Sequence, residues 1–338
     1  MDLGALAGPV AALADERGLA VVVRVSVAGE VAVELARGAS DRRHGIANAP
    51  DTRFGLASGT KGFTALLVAA LIDGGVLSFD EPARTFLGDD LPLVDDRVTI
   101  GHLLEHRAGI GDYLDESETD DTNAHLLPVP VHQLAACEDY LLVLGGRPQV
   151  SPPGERFAYN NSGYVILAVI AERATGRPYT DLVRDLVCRP AGLESTGFVR
   201  TDELPPETAV GYLEPCGLRS NVLHLPVLGL GDGGIISTVG DVERLWRAVF
   251  EGRVVAAPLV DRLTELRSIV DERTGYGAGF WLARPGPQIW LEGSDPGISF
   301  WSMHDPTTAL TATVVSNTTS GAWPVARLLD ETVRAASV

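Results

Sequence analysis

Strand-like alternation stands at both ends of this chain and helical periodicity fills the middle, and that arrangement limits the fold more than any other feature. Val23, Val25 and Val27 alternate with Arg24 and Ser26. The Ala28-Gly29-Glu30 stretch turns the chain, and Val31, Val33 and Leu35 alternate again, which is a β-hairpin with one buried face. Far downstream, Tyr276 to Ala283, Gln288 to Leu291, Ile298 to His304 and Ala309 to Ser316 are strand-like runs parted by Pro, Gly and Asp. Between these ends the period becomes helical over Phe63 to Asp73, Ile100 to Arg107, Val131 to Leu144, Tyr164 to Thr175, Tyr179 to Cys188 and Val242 to Phe250. Leu3, Leu6, Val10 and Leu13 open the chain with an amphipathic helix, and Trp323, Ala326, Leu329 and Val333 close it with another. Strands at both termini with helices between them predict one sheet completed by both chain ends and a helical domain inserted into it. A functional site is then expected in the cleft between the two.

The 338 residues suit about two domains, and a composition of 45% apolar and 21% charged residues is that of a globular protein. Lys and Arg number 27 against 45 Asp and Glu, a formal net charge of −18, which excludes a nucleic-acid backbone or an anionic membrane surface as the partner. Cys137, Cys188 and Cys216 are odd in number, widely spaced and without a C-x-x-C pair, so they read as reduced thiols. No run approaches the ~18 apolar residues of a membrane span. Met1 to Gly18 lacks a basic leader region, and a cytoplasmic location is expected.

Arginine supplies the fixed positive charge throughout this chain, and Lys61 is its single lysine. A desolvated lysine can lose its proton and act as a base, which arginine cannot do. Lys61 follows Ser58 by three residues at the start of the helix that continues through Phe63, Leu66, Leu67 and Leu71, so the ammonium can reach the hydroxyl. A serine hydroxyl becomes a nucleophile when a neighbour takes its proton, and Ser-Lys pairing is one known solution. The helix N-terminus adds positive dipole where an oxyanion would form. Tyr159 and Asn161 sit at a second loop-to-helix junction, after Pro152-Pro153-Gly154 and before the Tyr164 helix. Beside a lysine ammonium a tyrosine phenolate becomes accessible, so the pair can shuttle one proton.

With these motifs the chain resembles the serine β-lactamase and DD-peptidase superfamily, specifically its class C β-lactamase-like esterases and peptidases. Asp51 to Thr64 resembles the nucleophile block, Leu103 to Ile110 the next helix end, Pro153 to Tyr164 the tyrosine block, and Gly233 to Thr238 the glycine-rich stretch before a late helix. The resemblance implies an α/β fold of α+β type, an antiparallel sheet flanked by terminal helices, with an inserted all-helical domain and the active site in the cleft. The implied division is residues 1–55 and 270–338 for the sheet domain and 56–269 for the mainly helical domain carrying Ser58, Lys61 and Tyr159. By position, Ser58 is implied as the acyl-accepting nucleophile, Lys61 and Tyr159 as sharing the general-base role, and Asn161 as orienting substrate or Lys61.

The sequence departs from the family at its third motif. Lys or His, a small residue and Gly are replaced by Leu291, Glu292 and Gly293, followed by Ser294 and Asp295. The backbone N–H groups of Ser58 and Ser294 can still form an oxyanion hole, because a backbone donor needs no particular side chain. The cation tied to recognition of a substrate carboxylate is missing. Glu292, Gly293, Ser294 and Asp295, with Asn161, are the expected substrate-binding residues, and a preference for neutral or cationic acyl substrates over penicillins follows. Asp112, Asp115, Glu116, Glu118, Asp120 and Asp121 are expected to form a solvated acidic loop at the cleft mouth.

Three further motifs are set aside. His102-Leu103-Leu104-Glu105-His106 matches a zinc-protease pattern but has no evident third ligand, so no metal is expected. Gly229 to Gly234 satisfies G-x-G-x-x-G outside any alternating β/α context, so no dinucleotide cofactor is expected. Asn317-Thr318-Thr319 is a glycosylation sequon. The resulting expectation is a cofactor-free serine hydrolase acting on an ester or amide of a small metabolite. The alternatives are an acyltransferase passing the acyl group to an amine or alcohol, and a non-catalytic binding or sensor protein on the same fold. The oligomeric state is left open.

Overall fold

A computed structural model describes residues 3–115 and 121–336. Among the described residues, eight strands form one antiparallel sheet in the spatial order Glu30–Arg37, Val21–Val27, Leu310–Ser316, Ile298–Asp305, Ile289–Asp295, Trp281–Ala283, Thr274–Tyr276 and Ser268–Ile269. Both chain ends therefore meet inside the sheet, with Val21 opposite Ser316 and Val27 opposite Leu310.

Strand side chains alternate between faces, and here both faces are covered. Val21, Val23 and Val25 join Leu310, Ala312 and Val314 under the terminal helices, which contribute Leu6, Val10, Val325 and Leu329. Val22, Val315, Leu291 and Phe300 point the other way, into a core shared with Phe63, Leu66 and Trp246. The expected one-faced hairpin is thus buried on both faces along Val21–Val27, and Arg24 on its inner side pairs with Glu243 at 2.6 Å. The run expected over Tyr276 to Ala283 is two strands, because Gly277-Ala278-Gly279 turns the chain back and Gly279 has φ +100°.

The expected fold class is the one observed, with two refinements in the intervening chain. A small three-stranded sheet joins Phe54–Gly55, Ile235–Ser237 and Gly197–Phe198. Val131 to Leu144 is not one helix but the turns Val131–Gln133 and Cys137–Tyr140 followed by Leu141–Leu144. The Asp139 carboxylate accepts from the Ala135 and Ala136 N–H groups, at 3.1 and 2.7 Å, and so starts a new turn.

The helix Thr60–Asp73 is buried along most of its length. Phe63, Leu66 and Leu67 are completely covered, each worth about 1.5–3 kcal/mol of burial. Small residues let the sheet approach it: a Cβ on Gly62 would lie 2.6 Å from the Leu291 side chain. Among the described residues no helix is long and apolar enough to cross a membrane.

Candidate active site

Ser58 lies in a single tight turn, Ala57–Gly59, between the Phe54–Gly55 strand and the Thr60–Asp73 helix. Ala57 has φ +46°, a left-handed conformation that costs a non-glycine residue about 1–3 kcal/mol and is tolerated where surroundings impose it. The helix is capped at Gly59 with no side-chain hydrogen bond, so the Ser58 hydroxyl does not serve as an N-cap. It accepts instead from Lys61 Nζ at 2.9 Å.

Lys61 is 2% exposed, and its ammonium has three acceptors: Ser58 Oγ, Asn161 Oδ1 at 2.8 Å and the Asp232 carbonyl at 3.0 Å. The rings of Tyr159 and Tyr164 flank it, their centroids 5.0 and 5.8 Å away. An ammonium with one acceptor for each proton and aromatic faces beside it offsets much of the cost of burying its charge.

Asn161 begins the helix Asn161–Thr175 and is held by Asp112. One Asp112 oxygen accepts from the Asn161 N–H at 2.8 Å, and the other from the Ser162 N–H at 3.0 Å. Asn161 Nδ2 donates to the Leu114 carbonyl at 2.9 Å, which points its Oδ1 at Lys61. Asp112 is therefore not part of a solvated loop but a covered helix cap. Burial pushes its carboxyl above the usual range, and the N–H donors pull it back. Asp115 lines the cleft, Asp121 accepts from the Asn123 N–H, and Glu116, Glu118 and Asp120 lie outside the described residues.

Asp232 presents its carbonyl to Lys61, while its carboxylate accepts from Tyr113 Oη at 2.7 Å. Burial raises the Asp232 carboxyl and carries the Tyr113 phenol well above its ordinary value. The glycine-rich stretch is thus packed against the nucleophile helix. Thr64 Oγ1 donates to the Gly231 carbonyl at 2.6 Å, and a Cβ on Gly231 would collide with the Tyr164 backbone.

The zinc-like motif disperses in space. His102 Nδ1 accepts from the Thr99 N–H, Glu105 pairs with Arg262 and Arg267 at 2.7 and 2.9 Å, and His106 Nδ1 accepts from the Asn160 N–H at 3.1 Å. Among the described residues no cluster of side chains could hold a metal. His106 supports the site: buried and at φ +53°, it packs 4.5 Å from the Tyr159 ring, and burial drives its pKa well below the ordinary value. Tyr159 in turn stacks on Trp281 at 5.9 Å with 13° between the rings. The sequon asparagine, Asn317, is buried and donates to the Ala39 and Val210 carbonyls.

The strand Ile289–Asp295 closes the site. A Cβ on Gly293 would lie 2.6 Å from the Ser58 nitrogen, so glycine is what lets the strand come this close. Leu291, at the position where the resemblance places a cation, is buried against Gly62. Glu292, Gly293 and Ser294 face a cavity of about 820 Å³ shared with Ser58, Tyr159 and Trp281. Asp295 instead lines a second cavity of about 500 Å³ that also reaches Ser58 and includes Asn161. All the expected site residues are thus gathered around Ser58. Sequence reading missed Asp112 as a cap, the Tyr113–Asp232 pair, His106 and Trp281; His106 and Asp232 each lay in a motif, and both motifs pointed elsewhere.

A beta-lactamase family model matches residues 10–336. The solved structure of a penicillin-binding protein from Bacillus halodurans superimposes with a TM-score of 0.89 at 32% identity, covering 96% of this chain and 99% of that one. The putative penicillin-binding protein PbpX of Bacillus subtilis is 27% identical over 80% of this chain and 62% of its own length. Esterase EstB of Burkholderia gladioli is 34% identical over 62% of this chain and 55% of its own. The chain thus spans between half and two thirds of the length of these curated relatives.

Proposed function

The chain belongs to the beta-lactamase family, and from that premise we propose that it is a serine hydrolase that forms an acyl-enzyme on Ser58 and passes the acyl group to water. Its substrate is an ester or amide of a small molecule. The observation that carries this reading is the buried Lys61 ammonium, 2.9 Å from Ser58 Oγ and held by Asn161 and Asp232.

An ammonium favours a phenolate beside it, so the Tyr159 phenolate takes the Ser58 proton while Lys61, donating to Ser58 Oγ, stabilises the developing charge; Lys61 and Tyr159 thus act together in general-base catalysis, with Tyr159 as the proton acceptor. Ser58 Oγ attacks the carbonyl carbon, and the backbone N–H groups of Ser58 and Ser294 receive the developing oxyanion; one such donor is worth about 10²–10³ in rate. Tyr159 returns its proton to the leaving group, and water then repeats the sequence on the acyl-enzyme. With Leu291 buried where a cation would stand, a substrate carboxylate finds no partner on this strand, and β-lactams are handled poorly.

Turnover of p-nitrophenyl acetate that both Ser58→Ala and Lys61→Arg abolish supports the reading; turnover surviving in Ser58→Ala overturns it. A second reading, acyl transfer to an amine or alcohol, draws on the room beside Tyr159, where an acceptor could replace water. Product release accelerated by added amine, with an amide product, would favour it. Acylation of Ser58 that never turns over would instead mark a sensor.

A further inference from the structure

The two cavities that meet at Ser58 differ in chemistry, and Tyr159 lines only one of them. Since Tyr159 delivers the proton to the leaving group, the leaving group must lie on its side, which places the acyl substituent in the other cavity. That acyl cavity, about 500 Å³, is walled by Leu114, Leu127, Val199, Leu204, Leu225 and Ile298. Of the charged groups on its walls, Asp232 is committed to Tyr113, Arg43 to Asp41 and Asp202 to Arg200, and Asp295 stands at its end by Ser58, so that the apolar surface lies away from the reacting bond.

The Tyr159 side carries the opposite character. Asp115 and Glu292 are half-buried in its wall and Asp112 lies behind them, whereas its one cation among the described residues, Arg156, is exposed. Three carboxylates against one guanidinium leave the formal charge of this wall negative, and Glu292 also accepts from Trp290 Nε1 at 3.2 Å. Trp281, stacked between Tyr159 and Trp290, adds aromatic surface to the same wall. A net charge of −18 reinforces the same preference at longer range.

We infer that the substrate is an ester, thioester or amide joining a medium-length apolar acyl group to a leaving group that carries a positive charge, the acyl chain seated in the aliphatic cavity and the cation between Trp281, Asp115 and Glu292. This rests on the hydrolase reading above. In the step itself the bond from Ser58 Oγ to the acyl carbon forms, the bond from that carbon to the leaving heteroatom breaks, and the Ser58 proton leaves with the cationic product by way of Tyr159. No further reactant is needed until water releases the acyl group.

The test uses the full chain and three butyryl thioesters whose thiols are cationic (thiocholine), neutral (3,3-dimethylbutanethiol) and anionic (3-mercaptopropionate). Thiol release is measured and each rate is normalised to its hydroxide-catalysed rate. The expected order is cationic over neutral over anionic, with about tenfold between the first two, and Asp115→Asn with Glu292→Gln should collapse that ratio to about twofold. Among p-nitrophenyl esters, octanoyl should exceed acetyl by about tenfold or more, and Leu225→Trp, which fills the aliphatic cavity, should reverse the order. Because each readout is a ratio within one preparation, partial misfolding does not imitate it. Equal rates for the three thioesters, or an anionic preference, would overturn the inference while leaving Ser58 chemistry intact. No acylation by any ester would remove the hydrolase reading and this inference together.

Discussion

The two walls of the cleft are built differently. On the helical wall, Ser58 and Lys61 sit in a buried turn where each ammonium proton has a named acceptor and Asn161 is itself pinned by Asp112. On the strand wall, Leu291 to Asp295 pairs with Ile298–Asp305 along its length, while on its other side Trp281–Ala283 reaches only Ile289 and Trp290. The first wall has one arrangement and a high cost for leaving it. The second presents a strand edge whose side chains can change with little effect on the ladder. Chemistry is fixed where polar groups are buried and fully paired, and selectivity is set where the backbone alone is required.

The comparison breaks most sharply at the helical wall. Ser58→Ala should lower kcat/KM for a p-nitrophenyl ester by about 10⁴-fold or more and Lys61→Arg by about 10³-fold, because a planar guanidinium does not fit the three-acceptor site built around a lysine ammonium. Substitution of Leu291 by Met, on the strand wall, should change the same constant far less; equal losses would contradict the division.

The strand wall rests on a buried base. His304, in the neighbouring strand, stacks on Trp246 and Phe250 and bonds Thr311 Oγ1 at 2.9 Å, and burial lowers its pKa to about 4. An unfolded chain takes up this proton near pH 6.5 and the folded one only near pH 4, so the stability it contributes is present above pH 6.5 and lost as pH falls toward 4. His106 acts in the same direction, whereas Asp112 and Asp232, with raised carboxyls, oppose it. Thermal unfolding of the wild type should weaken by about 3 kcal/mol across that window through His304, and His304→Gln should flatten the dependence. An unchanged slope would show that His304 is not the buried base.

Smaller effects sharpen the boundary between the walls. Gly293→Ala puts a methyl group 2.6 Å from the Ser58 nitrogen, so it should cost about 1–3 kcal/mol in urea unfolding and lower kcat as the walls move apart. Asp112→Ala removes the cap that sets Asn161 and should cost about 1–2 kcal/mol. Its kcat should fall more than its KM rises if Asn161 then loosens around Lys61, and a pure stability loss at unchanged kcat would contradict that link.

The same contrast explains what could be read from the residues. The nearness of Ser58 to Lys61 was legible because helix geometry brings the two together and because the chain keeps one lysine, whereas Tyr159 and Asn161 stood out only through the family resemblance of the block that holds them. The sheet closing through both termini was legible from period-two runs at the two ends. Asp112 was misread, since an acidic run looks solvated until the fold shows that its first member caps the Asn161–Thr175 helix. The Tyr159–Trp281 stack and the Tyr113–Asp232 bond left no local trace, because their partners lie more than a hundred positions apart and only packing joins them.

The central claim is tested most directly by mixing the protein with a slowly hydrolysed ester, quenching within the first turnover and measuring intact mass followed by peptide mapping. The account predicts one acyl adduct per chain on the peptide holding Ser58, formed much more slowly in Lys61→Arg. Ester cleavage with no adduct on that peptide, or an adduct forming at the same rate without Lys61, would contradict it.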